Sequence, residues 1–593
     1  MNKIGFEIIV GEGTCGIAAG SKEVMEQFAA ALPGATIRSV SCVGMCHMEP
    51  IAEVRDASGK TYMYGKVGKK EVAKIAKFHQ GQGELPRECL LAEPSQAEPE
   101  GRKYLDKQTR IALRNVGKLD PTNLDEYKAR EGYKALETIL KGSWSQDRVI
   151  EELKSSGLRG RGGAGASTAM KWTFAKNAVG DQKYMICNGD EGDPGAFMDR
   201  SLLEGDPHAV IEGMIIAAFA IGATKGYAYI RAEYPLAVKN FGLAIKAATA
   251  AGYLGKNILG SGVSFEIKIK EGAGAFVCGE ETALIASIEG ERGMPRLRPP
   301  YPAIKGLFGK PTNVNNVETL SAVPWIINKG GAAYAAYGTA DSKGTKVFAL
   351  AGAIKRGGLV EVPMGTTIRE IIYEIGGGST TGRAIKAVQL GGPSGGVIPE
   401  ALFDTPIEYA AINRTGAIMG SGGMIVMDEK TCMVDLAKFF MGFNHLESCG
   451  KCTFCRIGTL RIRELLEKIS DGNAALEDLN TLETLSRQVM SSSLCALGGT
   501  APNPVLTTLR YFRHEYEAHI KEKRCPAAVC KSLITHRIMA DTCTGCTLCD
   551  KACPTQCITG QPKVAGSYVI DMNRCINCGM CVEVCKPDAI FVE

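Results

Sequence analysis

The sequence predicts a multidomain α/β protein whose C-terminal part carries iron–sulfur clusters. The chain has 593 residues, whereas a single hydrophobic core seldom grows beyond about 250–300 residues. Short strand-like and longer helix-like apolar patterns follow one another before residue 340. Cysteine supplies the third observation, because 15 of the 22 cysteines lie between Cys449 and Cys585.

Composition narrows the class of protein. Hydrophobic residues make up 45% of the chain and charged residues 22%, as in ordinary globular proteins. The net charge of +5 comes without a long basic run, so we expect no nucleic-acid partner. No signal peptide is visible, and the most apolar stretch, 214–223, is shorter than the ~20 residues of a membrane span. We therefore expect a cytoplasmic protein without a membrane span, with metal-bound cysteines instead of disulfides.

The first 90 residues predict a small α/β domain. Strands are expected over 6–10 and 35–40, a helix over 21–32, and a hairpin from 52–55 and 61–64. Three cysteines, Cys15, Cys42 and Cys46, fall at loop positions of this domain. The polar, proline-containing residues 91–110 predict a linker to a larger α/β domain.

The stretch 157–165 is too rich in glycine for an ordinary loop. Residues without Cβ let backbone N–H groups approach a phosphate, and the segment 167–175 can present a helix N-terminus to it. A mobile surface loop is the alternative. Three more stretches, 188–195, 278–284 and 311–319, combine glycine with acids and amides, which suit a polyhydroxyl ligand but are equally typical of solvated loops.

Together with the Glu-Ser-Cys-Gly-Lys-Cys stretch that starts at Glu447, these stretches match in order and type the flavin subunit of respiratory complex I. From about residue 110 to 520 the chain resembles that FMN- and NADH-binding family. The diaphorase subunits of NAD-linked and electron-bifurcating hydrogenases and formate dehydrogenases share its architecture. The fused terminal domains resemble this second group more closely.

The resemblance implies a set of cofactor-binding residues. Those implied for the FMN phosphate are Gly160, Arg161, Gly162, Gly163, Gly165 and Lys171. Those implied for the ribityl chain, the nicotinamide or the lining of the pocket are Asn188, Asp190, Glu191, Gly192, Gly279, Glu280 and Glu281. Those implied for the isoalloxazine or phosphate are Val314, Asn315, Asn316 and Thr319. Hydride transfer needs no protein acid or base, so Glu191 is the nearest candidate for a catalytic residue, by positioning the nicotinamide.

The sequence departs from the family pattern at three positions. Ala166 stands where the family has an aromatic ring that stacks on the dinucleotide, and Ser167 replaces the neighbouring proline. Phe276 replaces a tyrosine before the Cys-Gly-Glu-Glu motif. These changes keep open a second hypothesis, an electron-transfer and assembly subunit that binds flavin and clusters but no dinucleotide.

The resemblance also implies the domain plan. It comprises a thioredoxin-like [2Fe–2S]-type domain over 1–90, an FMN- and NAD(P)H-binding domain over 111–340, a β-grasp-like SLBB domain over 341–425, a helical [4Fe–4S] domain over 426–534 and a two-cluster ferredoxin domain over 535–593. In the N-terminal domain the family uses two pairs of cysteines. Gly20 stands where the second ligand is expected, so His47 or Cys89 would have to complete a [2Fe–2S] site, or the domain is a docking fold without a cluster.

Three further cysteine sets follow from spacing. Cys449, Cys452 and Cys455 form a C-x2-C-x2-C arc that Cys495 would close around a [4Fe–4S] cluster, with zinc as the competing metal. Two C-x2-C-x2-C-x3-C runs follow, and in such ferredoxins the fourth cysteine of each run binds the other cluster. The predicted sets are Cys543, Cys546, Cys549 with Cys585, and Cys575, Cys578, Cys581 with Cys553. Cys557 is predicted to be a spare core thiol.

Between these sets lie His519, Cys525 and Cys530, whose side chains suit zinc. Only three ligands are evident, so a helix face with spare cysteines is the alternative. Cys187, Cys278 and Cys432 lie in apolar runs and are predicted to be small core residues.

These patterns predict an NAD(P)H dehydrogenase subunit of a multi-subunit oxidoreductase. The resemblance implies FMN, NAD(P)H and three [4Fe–4S] clusters as cofactors, with a [2Fe–2S] cluster and zinc as additional candidates. The implied partners are ferredoxin, a hydrogenase or formate dehydrogenase catalytic subunit and a small [2Fe–2S] subunit. The implied reaction is hydride exchange between nicotinamide and FMN, followed by one-electron transfer through the clusters to or from ferredoxin and the partner subunit, with electron bifurcation.

Overall fold

The computed structural model describes residues 5–94 and 100–592. Two compact units make up the chain. The first takes the residues up to 382 together with 388–426, and the second takes 383–387 together with the residues from 427 onward. No helix within the described residues combines the length and hydropathy that a bilayer span needs.

The first unit begins with a mixed five-stranded sheet flanked by short helices. Its elements are β1 (Glu7–Gly11), α1 (Thr14–Ala18), α2 (Ser21–Ala31), β2 (Thr36–Val40), β3 (Ala52–Arg55), β4 (Thr61–Tyr64), α3 (Lys69–His79) and β5 (Leu90–Ala92). The strand order is β2-β1-β3-β4-β5, with β1 parallel to β2 and antiparallel to β3. The predicted strands, helix and hairpin are present, but β5 continues the sheet past the boundary expected at residue 90. Residues 95–99 of the predicted linker lie outside the described residues.

A second, fully parallel sheet forms the centre of the first unit. Its elements are α4 (Lys103–Asp106), α5 (Leu124–Ala129), α6 (Lys134–Lys141), α7 (Gln146–Ser156), α8 (Thr168–Asn177), β6 (Tyr184–Gly189), α9 (Met198–Gly205), α10 (Pro207–Ile221), β7 (Lys225–Arg231), α11 (Pro235–Ala250), β8 (Glu266–Gly272), α12 (Glu281–Glu289), β9 (Thr312–Asn316), α13 (Val317–Lys329) and α14 (Gly331–Ala335). The strand order is β8-β7-β6-β9. Because parallel strands need crossover connections, helices cover this sheet.

Helix α10 is the core helix of this domain, as the apolar stretch 214–223 predicted. Its one acid, Glu212, is fully buried and accepts hydrogen bonds from the Tyr127 hydroxyl at 2.6 Å and from the N–H groups of Tyr133 and Leu136 at 2.9 and 3.1 Å. Burial raises the pKa of Glu212, and these donors oppose the rise. The acid therefore fastens α6 and the segment before it to the core helix.

A third sheet follows in the predicted SLBB region. Its elements are β10 (Thr345–Gly352), β11 (Gly358–Pro363), β12 (Ile385–Leu390), β13 (Gly396–Pro399), α15 (Tyr409–Thr415) and β14 (Gly423–Asp428). The strand order is β11-β10-β14-β12-β13. Strand β14 lies inside the sheet and ends at Asp428, so the structural unit runs past the boundary expected at residue 425.

The second unit combines a helical bundle with a small C-terminal domain. The bundle contains α16 (Met433–Leu446), α17 (Thr453–Ser470), α18 (Leu476–Ser492), α19 (Ala496–Thr500) and α20 (Asn503–Glu517). The terminal domain contains β15 (His536–Ile538), α21 (Leu548–Ala552), β16 (Ile558–Thr559), β17 (Val569–Ile570), α22 (Met580–Glu583) and β18 (Ile590–Val592). Strand β15 pairs with β18 and β16 pairs with β17, so both halves of the cysteine repeat contribute to one domain.

A buried ion pair joins the parallel-sheet domain to the third sheet. Lys346 of β10 is fully buried and donates to the Glu318 carboxylate in the first turn of α13. The same carboxylate accepts the Val347 N–H at 2.9 Å. Removing one partner of a buried ion pair leaves the other charge buried and uncompensated, which costs about 3–5 kcal/mol.

We predict that Lys346→Met lowers the free energy of unfolding of the first unit by about 3–5 kcal/mol. All three tryptophans, Trp144, Trp172 and Trp325, lie in that unit, so tryptophan fluorescence during denaturation measures its stability. Lys154→Met is the matched control, because the ion pair of Lys154 with Glu151 is exposed. An equal effect of the two substitutions would contradict the assignment.

Candidate functional site

The predicted ligand-binding stretches meet at the carboxyl edge of the parallel sheet. Asn188 near the end of β6 lies opposite Asn316 at the end of β9 in the strand register. The acidic stretch predicted from the sequence follows β6 directly, and the segment with the Cys-Gly-Glu-Glu motif follows β8. In open α/β sheets ligands bind in the crevice outside the carboxyl ends of the strands.

The glycine loop lies flat against this edge. A Cβ at Gly162 would come within 3.1 Å of the Asn316 side chain, and one at Gly163 would come within 3.0 Å of the Gly420 backbone. Gly163 also has a φ of 115°, a conformation that only glycine adopts without strain. The loop ends at Ser167, whose hydroxyl accepts the Met170 N–H and caps α8 at 3.3 Å. A flat loop followed by a capped helix N-terminus is the arrangement that binds phosphate.

Arg161 is buried inside the loop. Its guanidinium donates to the backbone oxygens of Lys343, Thr345 and Arg159 and to the hydroxyls of Tyr334 and Tyr409, over 2.6–3.4 Å. The backbone N–H of Arg161 donates to the Thr319 hydroxyl at 2.9 Å. Because these protein groups occupy the guanidinium, Arg161 holds the loop in place instead of extending toward a ligand.

Lys171 of α8 reaches the same edge. Its ammonium group donates to the Val314 carbonyl at 2.8 Å and contacts Glu281 at 3.3 Å. Arg298 donates to the other Glu281 oxygen at 2.8 Å. Burial acts to raise the pKa of Glu281, but Lys171 and Arg298 outweigh it and the pKa is lowered. The pocket wall therefore carries two cations around one carboxylate.

The acidic loop after β6 is held by its neighbours. Glu191 accepts the N–H groups of Asp199 and Arg200, both at 3.1 Å, at the start of α9. Burial raises the pKa of Glu191. A Cβ at Gly192 would clash with the Phe276 ring at 2.6 Å. The structure thus uses the Glu191 carboxylate to fix the loop, and the catalytic positioning role expected for Glu191 stays a prediction.

The remaining predicted residues form one hydrogen-bonded frame. Asn188 donates to the Gly279 carbonyl at 3.0 Å and accepts the Asp190 N–H at 3.0 Å. Glu280 caps α12 by accepting the Thr282 and Ala283 N–H groups at 2.9 and 3.1 Å. This frame fixes the spacing between the acidic loop and the Cys-Gly-Glu-Glu segment.

The amides of β9 extend the frame. Asn316 donates to Asp199 at 2.6 Å, whereas Asn315 is buried and accepts the Trp172 indole N–H at 2.8 Å. The side chain of Asn315 therefore faces the core. That of Asn316 lies at the edge, beside Gly162.

Sequence reasoning missed the contribution of the third sheet to this site. Tyr409 donates to the Gly160 carbonyl at 2.9 Å, and a Cβ at Gly165 would meet its ring at 2.6 Å. Ser421 donates to Asp193 at 2.5 Å, and burial raises the pKa of Asp193 to about 6. No spacing in the chain links positions more than 200 residues apart, so only the packing of the two domains reveals these contacts.

In the second unit, the four cysteines of the first predicted cluster surround the starts of two helices. Cys452 precedes α17, Cys455 lies in its first turn, and Cys495 precedes α19. Burial and then the nearby thiols of Cys452, Cys495 and Cys449 raise the pKa of Cys455 to about 11, against a hydrogen bond with Ser448. The remote Cys495 therefore lies beside the arc, as a four-thiolate site requires.

The C-terminal domain contains two cysteine-lined cavities. One is lined by Cys543, Cys546, Cys549 and Cys585, and the other by Cys575, Cys578, Cys581 and Cys553. Each cavity therefore takes three thiols from one run and the fourth from the other run. These donor sets fit two [4Fe–4S] clusters. Cys557 also lines the second cavity, with its Sγ 3.3 Å from that of Cys553.

Cys432 lies in an apolar core cluster, as predicted, but its thiol also belongs to a ligand group that the sequence did not reveal. Its thiol joins Cys525, Cys530 and His519 in a fully buried group whose ligand atoms all lie within 4.8 Å of one another. The Cys432 and Cys530 sulfurs are 3.7 Å apart, and His519 Nε2 is 3.4 and 3.3 Å from them. Tetrahedral zinc with bonds of about 2.3 Å to sulfur and 2.0 Å to nitrogen gives similar edges, near ~3.5–3.8 Å. His519 Nδ1 bonds to the Glu515 carbonyl at 2.7 Å, which orients the ring as metal-bound histidines are oriented.

The N-terminal cysteines form a second close group. The sulfurs of Cys15, Cys42 and Cys46 lie within 4.8 Å of one another, and the last two are 3.9 Å apart. Hydrogen bonds from Cys42 and Cys46 lower the pKa of the Cys15 thiol to about 3.

The resemblance implies two pairs of cysteines here, but within the described residues this group contains no fourth thiol. Cys89 donates to the Pro86 carbonyl and His47 bonds to the Gly357 carbonyl, and neither belongs to the group. A Cβ at Gly20 would meet only Glu23. The residues present therefore do not fit the four-cysteine [2Fe–2S] site of the resemblance, and neither expected substitute lies at the group.

Family models match four parts of the chain. Residues 153–325 match the Nuo51 FMN-binding domain, 347–398 the SLBB domain, 435–519 the NADH-ubiquinone oxidoreductase-F iron-sulfur binding region, and 542–589 a 4Fe-4S dicluster domain. These matches lie over the parallel-sheet domain, strands β10 to β13 of the third sheet, the Cys449 set and the two cavities, in that order.

Whole-chain relatives agree with these matches. The NADP-reducing hydrogenase subunit HndC of Solidesulfovibrio fructosivorans is 54% identical over 457 residues, covering 77% of this chain and 93% of that protein. The F subunit of the NADH-quinone oxidoreductase of Aquifex aeolicus is 43% identical over 71% of this chain and 97% of its own length. A crystal structure of an NAD+-reducing [NiFe]-hydrogenase contains a chain that is 32% identical, with a TM-score of 0.60 over 87% of this chain and 85% of that one. The resemblance predicted from the motifs is confirmed: the chain belongs to the family of the FMN-binding F subunits of NADH-quinone oxidoreductases and their hydrogenase counterparts.

Proposed function

We propose that this chain is the NAD(P)H-oxidising subunit of a multi-subunit, hydrogenase-type oxidoreductase. The observation that carries the proposal is the convergence of the glycine loop, the acidic loop and the β9 amides at one sheet edge, in a chain of this family. When bound there, flavin supplies hydride exchange with nicotinamide and the change from two-electron to one-electron transfer. The chain supplies the binding and orientation.

Specific residues of the chain would bind and orient the flavin. The N–H groups of the glycine loop and the α8 N-terminus, with Lys171 beside them, would neutralise the flavin phosphate. The frame of Asn188, Gly279 and Glu280 would fix the ribityl chain. The third sheet closes the loop from one side through Gly420 and Tyr409.

The iron–sulfur part of the proposal comprises three [4Fe–4S] clusters, one at the Cys449 set and one at each C-terminal cavity. The thiolates of each set would hold its cluster. The two-cavity domain supports ferredoxin as a one-electron partner and electron bifurcation as the overall reaction. A small [2Fe–2S] subunit and a hydrogenase or formate dehydrogenase subunit are the proposed neighbours, in the reducing cytoplasm that such thiols require.

Anaerobic titration with NADH and NADPH tests the proposal. We expect one of them to bleach the flavin absorption of the purified chain stoichiometrically. Failure of both to bleach a flavin-loaded chain would favour the electron-transfer and assembly subunit, which Ala166 and Phe276 keep open as the second candidate.

Gly163→Ala should release the flavin. The new methyl group would meet the Gly420 backbone at 3.0 Å at a φ of 115°. Such strain costs about 1–3 kcal/mol, which corresponds to a loss of FMN affinity of about 5- to 150-fold. Equilibrium dialysis against FMN measures this affinity. The control is Gly242→Ala in α11, where the nearest atom is 3.6 Å away; unchanged FMN affinity in the Gly163 variant would place the phosphate elsewhere.

Cys495→Ala should remove about four irons per chain, because Cys495 alone closes the Cys449 arc. We expect NADH still to bleach the flavin while electron transfer to added ferredoxin is lost. Cys89→Ala is the control, since that buried thiol bonds only to a carbonyl, and its iron content should match the parent. Normal ferredoxin reduction by the Cys495 variant would rule out this relay.

We also propose that the Cys432 group binds structural zinc. Cys432→Ala should lower the zinc content by one ion per chain, as should Cys530→Ala, because three remaining ligands hold zinc poorly. Elemental analysis measures the loss, and Cys187→Ala, which removes a buried thiol of β6, is the control. Zinc retained by both ligand variants would show that the group is only a cluster of core thiols.

A further inference from the structure

The spacing of the sulfur atoms separates the cysteine sets of this chain into two kinds. In the Cys432 and Cys15 groups the ligand atoms all lie within 4.8 Å of one another. Among the described residues, the sets predicted to hold [4Fe–4S] clusters are not drawn together this closely. Ligands of one tetrahedral ion share edges of about 3.8 Å when its bonds to sulfur are about 2.3 Å long. In a [4Fe–4S] cluster each ligand binds a different iron, and in a [2Fe–2S] cluster the two pairs of ligands bind different irons, so three ligands of either cluster cannot all share such short edges.

The Cys15 group therefore has the spacing of a single-ion site. Its measured edge between Cys42 and Cys46, 3.9 Å, is close to the 3.7 Å between Cys432 and Cys530. Within the described part of the chain, no fourth thiol, imidazole or carboxylate oxygen lies within 4.8 Å of all three sulfurs. A single tetrahedral ion accepts a carboxylate as its fourth ligand.

Glu49 offers that carboxylate. Glu49 is 8% exposed, and its Oε2 accepts the Ile51 N–H at 2.9 Å. The other carboxylate oxygen, Oε1, is buried and has no hydrogen-bond partner among the described residues. The carboxylate lies near the Cys42 thiol. A buried carboxylate oxygen without a donor is costly unless a cation or a donor satisfies it.

Glycine makes the room for this carboxylate. A Cβ at Gly11 would lie 3.1 Å from Glu49 Oε1, and a Cβ at Gly16 would lie 3.2 Å from Oε2. A Cβ at Gly13 would meet the Cys42 backbone at 2.6 Å. The first strand and helix therefore leave space for an acid and three thiols at one point. Arg200 brings a positive charge to the group, 3.9 Å from the Cys15 sulfur.

We propose that Cys15, Cys42, Cys46 and Glu49 form a single-ion zinc site of the three-thiolate, one-carboxylate type. Glu49 would turn its free oxygen from the glycine-lined space toward the three sulfurs and complete a tetrahedron. All four ligands are protein groups, so the site is closed and structural. It would fasten the loop after β2 to the start of α1.

The test compares metal content and metal retention in the full-length chain. Elemental analysis of Cys46→Ser should show one zinc fewer per chain and no loss of iron. Glu49→Gln should lose its zinc to a chelator at least about tenfold more readily than the parent, a loss that even the partners of metal ligands produce. Glu49→Cys should keep the ion. Glu53→Gln, in the strand that follows, is the matched control and should behave as the parent.

Three outcomes would overturn the proposal. Loss of two irons from Cys46→Ser, with loss of a [2Fe–2S] signal in electron paramagnetic resonance, would show a cluster instead. Unchanged metal content in Cys46→Ser would show that the thiols bind nothing. Parent-like chelator resistance of Glu49→Gln would remove Glu49 from the ligand set. Flavin content checks that each variant is folded, and because bleaching by NADH does not depend on this ion, failure here leaves the proposed function intact.

Discussion

The buried guanidinium of Arg161 is the contact on which the carboxyl-edge site depends. It binds three backbone oxygens and two tyrosine hydroxyls drawn from the glycine loop, from α14 and α15, and from the segment leading into β10. Hydrogen bonds from a charged donor contribute about 1.5–3 kcal/mol each, and five of them repay the burial of one arginine. Without this contact the glycines around it would be free to move, and a mobile loop would lose its phosphate-binding geometry.

At each set for which we propose a metal in the second unit, a residue remote in sequence completes a local motif. Cys495 completes an arc that starts 46 residues earlier, and each C-terminal run lends its fourth cysteine to the other run. Cys432 lies 87 residues from His519, yet the two ligand atoms are 3.4 Å apart. Since such sites tie distant segments, the folding of the second unit and the loading of its metals should be coupled.

Thiol spacing also separates the sets for which we propose clusters from the groups for which we propose single ions. Among the described residues, the ligand atoms of the Cys432 and Cys15 groups all lie within 4.8 Å of one another, whereas those of the proposed cluster sets do not. A structural ion at the N-terminal group would leave that domain with a supporting role, and the electron path would then begin at the sheet edge.

Sequence alone determined the chemistry that resides in local spacing. The C-x2-C runs, the glycine loop and the ordered motifs of the flavin subunit are short-range patterns, because a ligand arc or a phosphate loop is built from neighbouring residues. Tertiary structure alone decided the rest. It showed that Arg161 and Glu191 brace their loops and that Tyr409 and Ser421 belong to the site. It also showed that the buried Cys432 thiol lies close to His519 and Cys530, and that Glu49 lies near Cys42. These contacts join residues far apart in sequence, or depend on which way a buried side chain turns, and no local pattern encodes either.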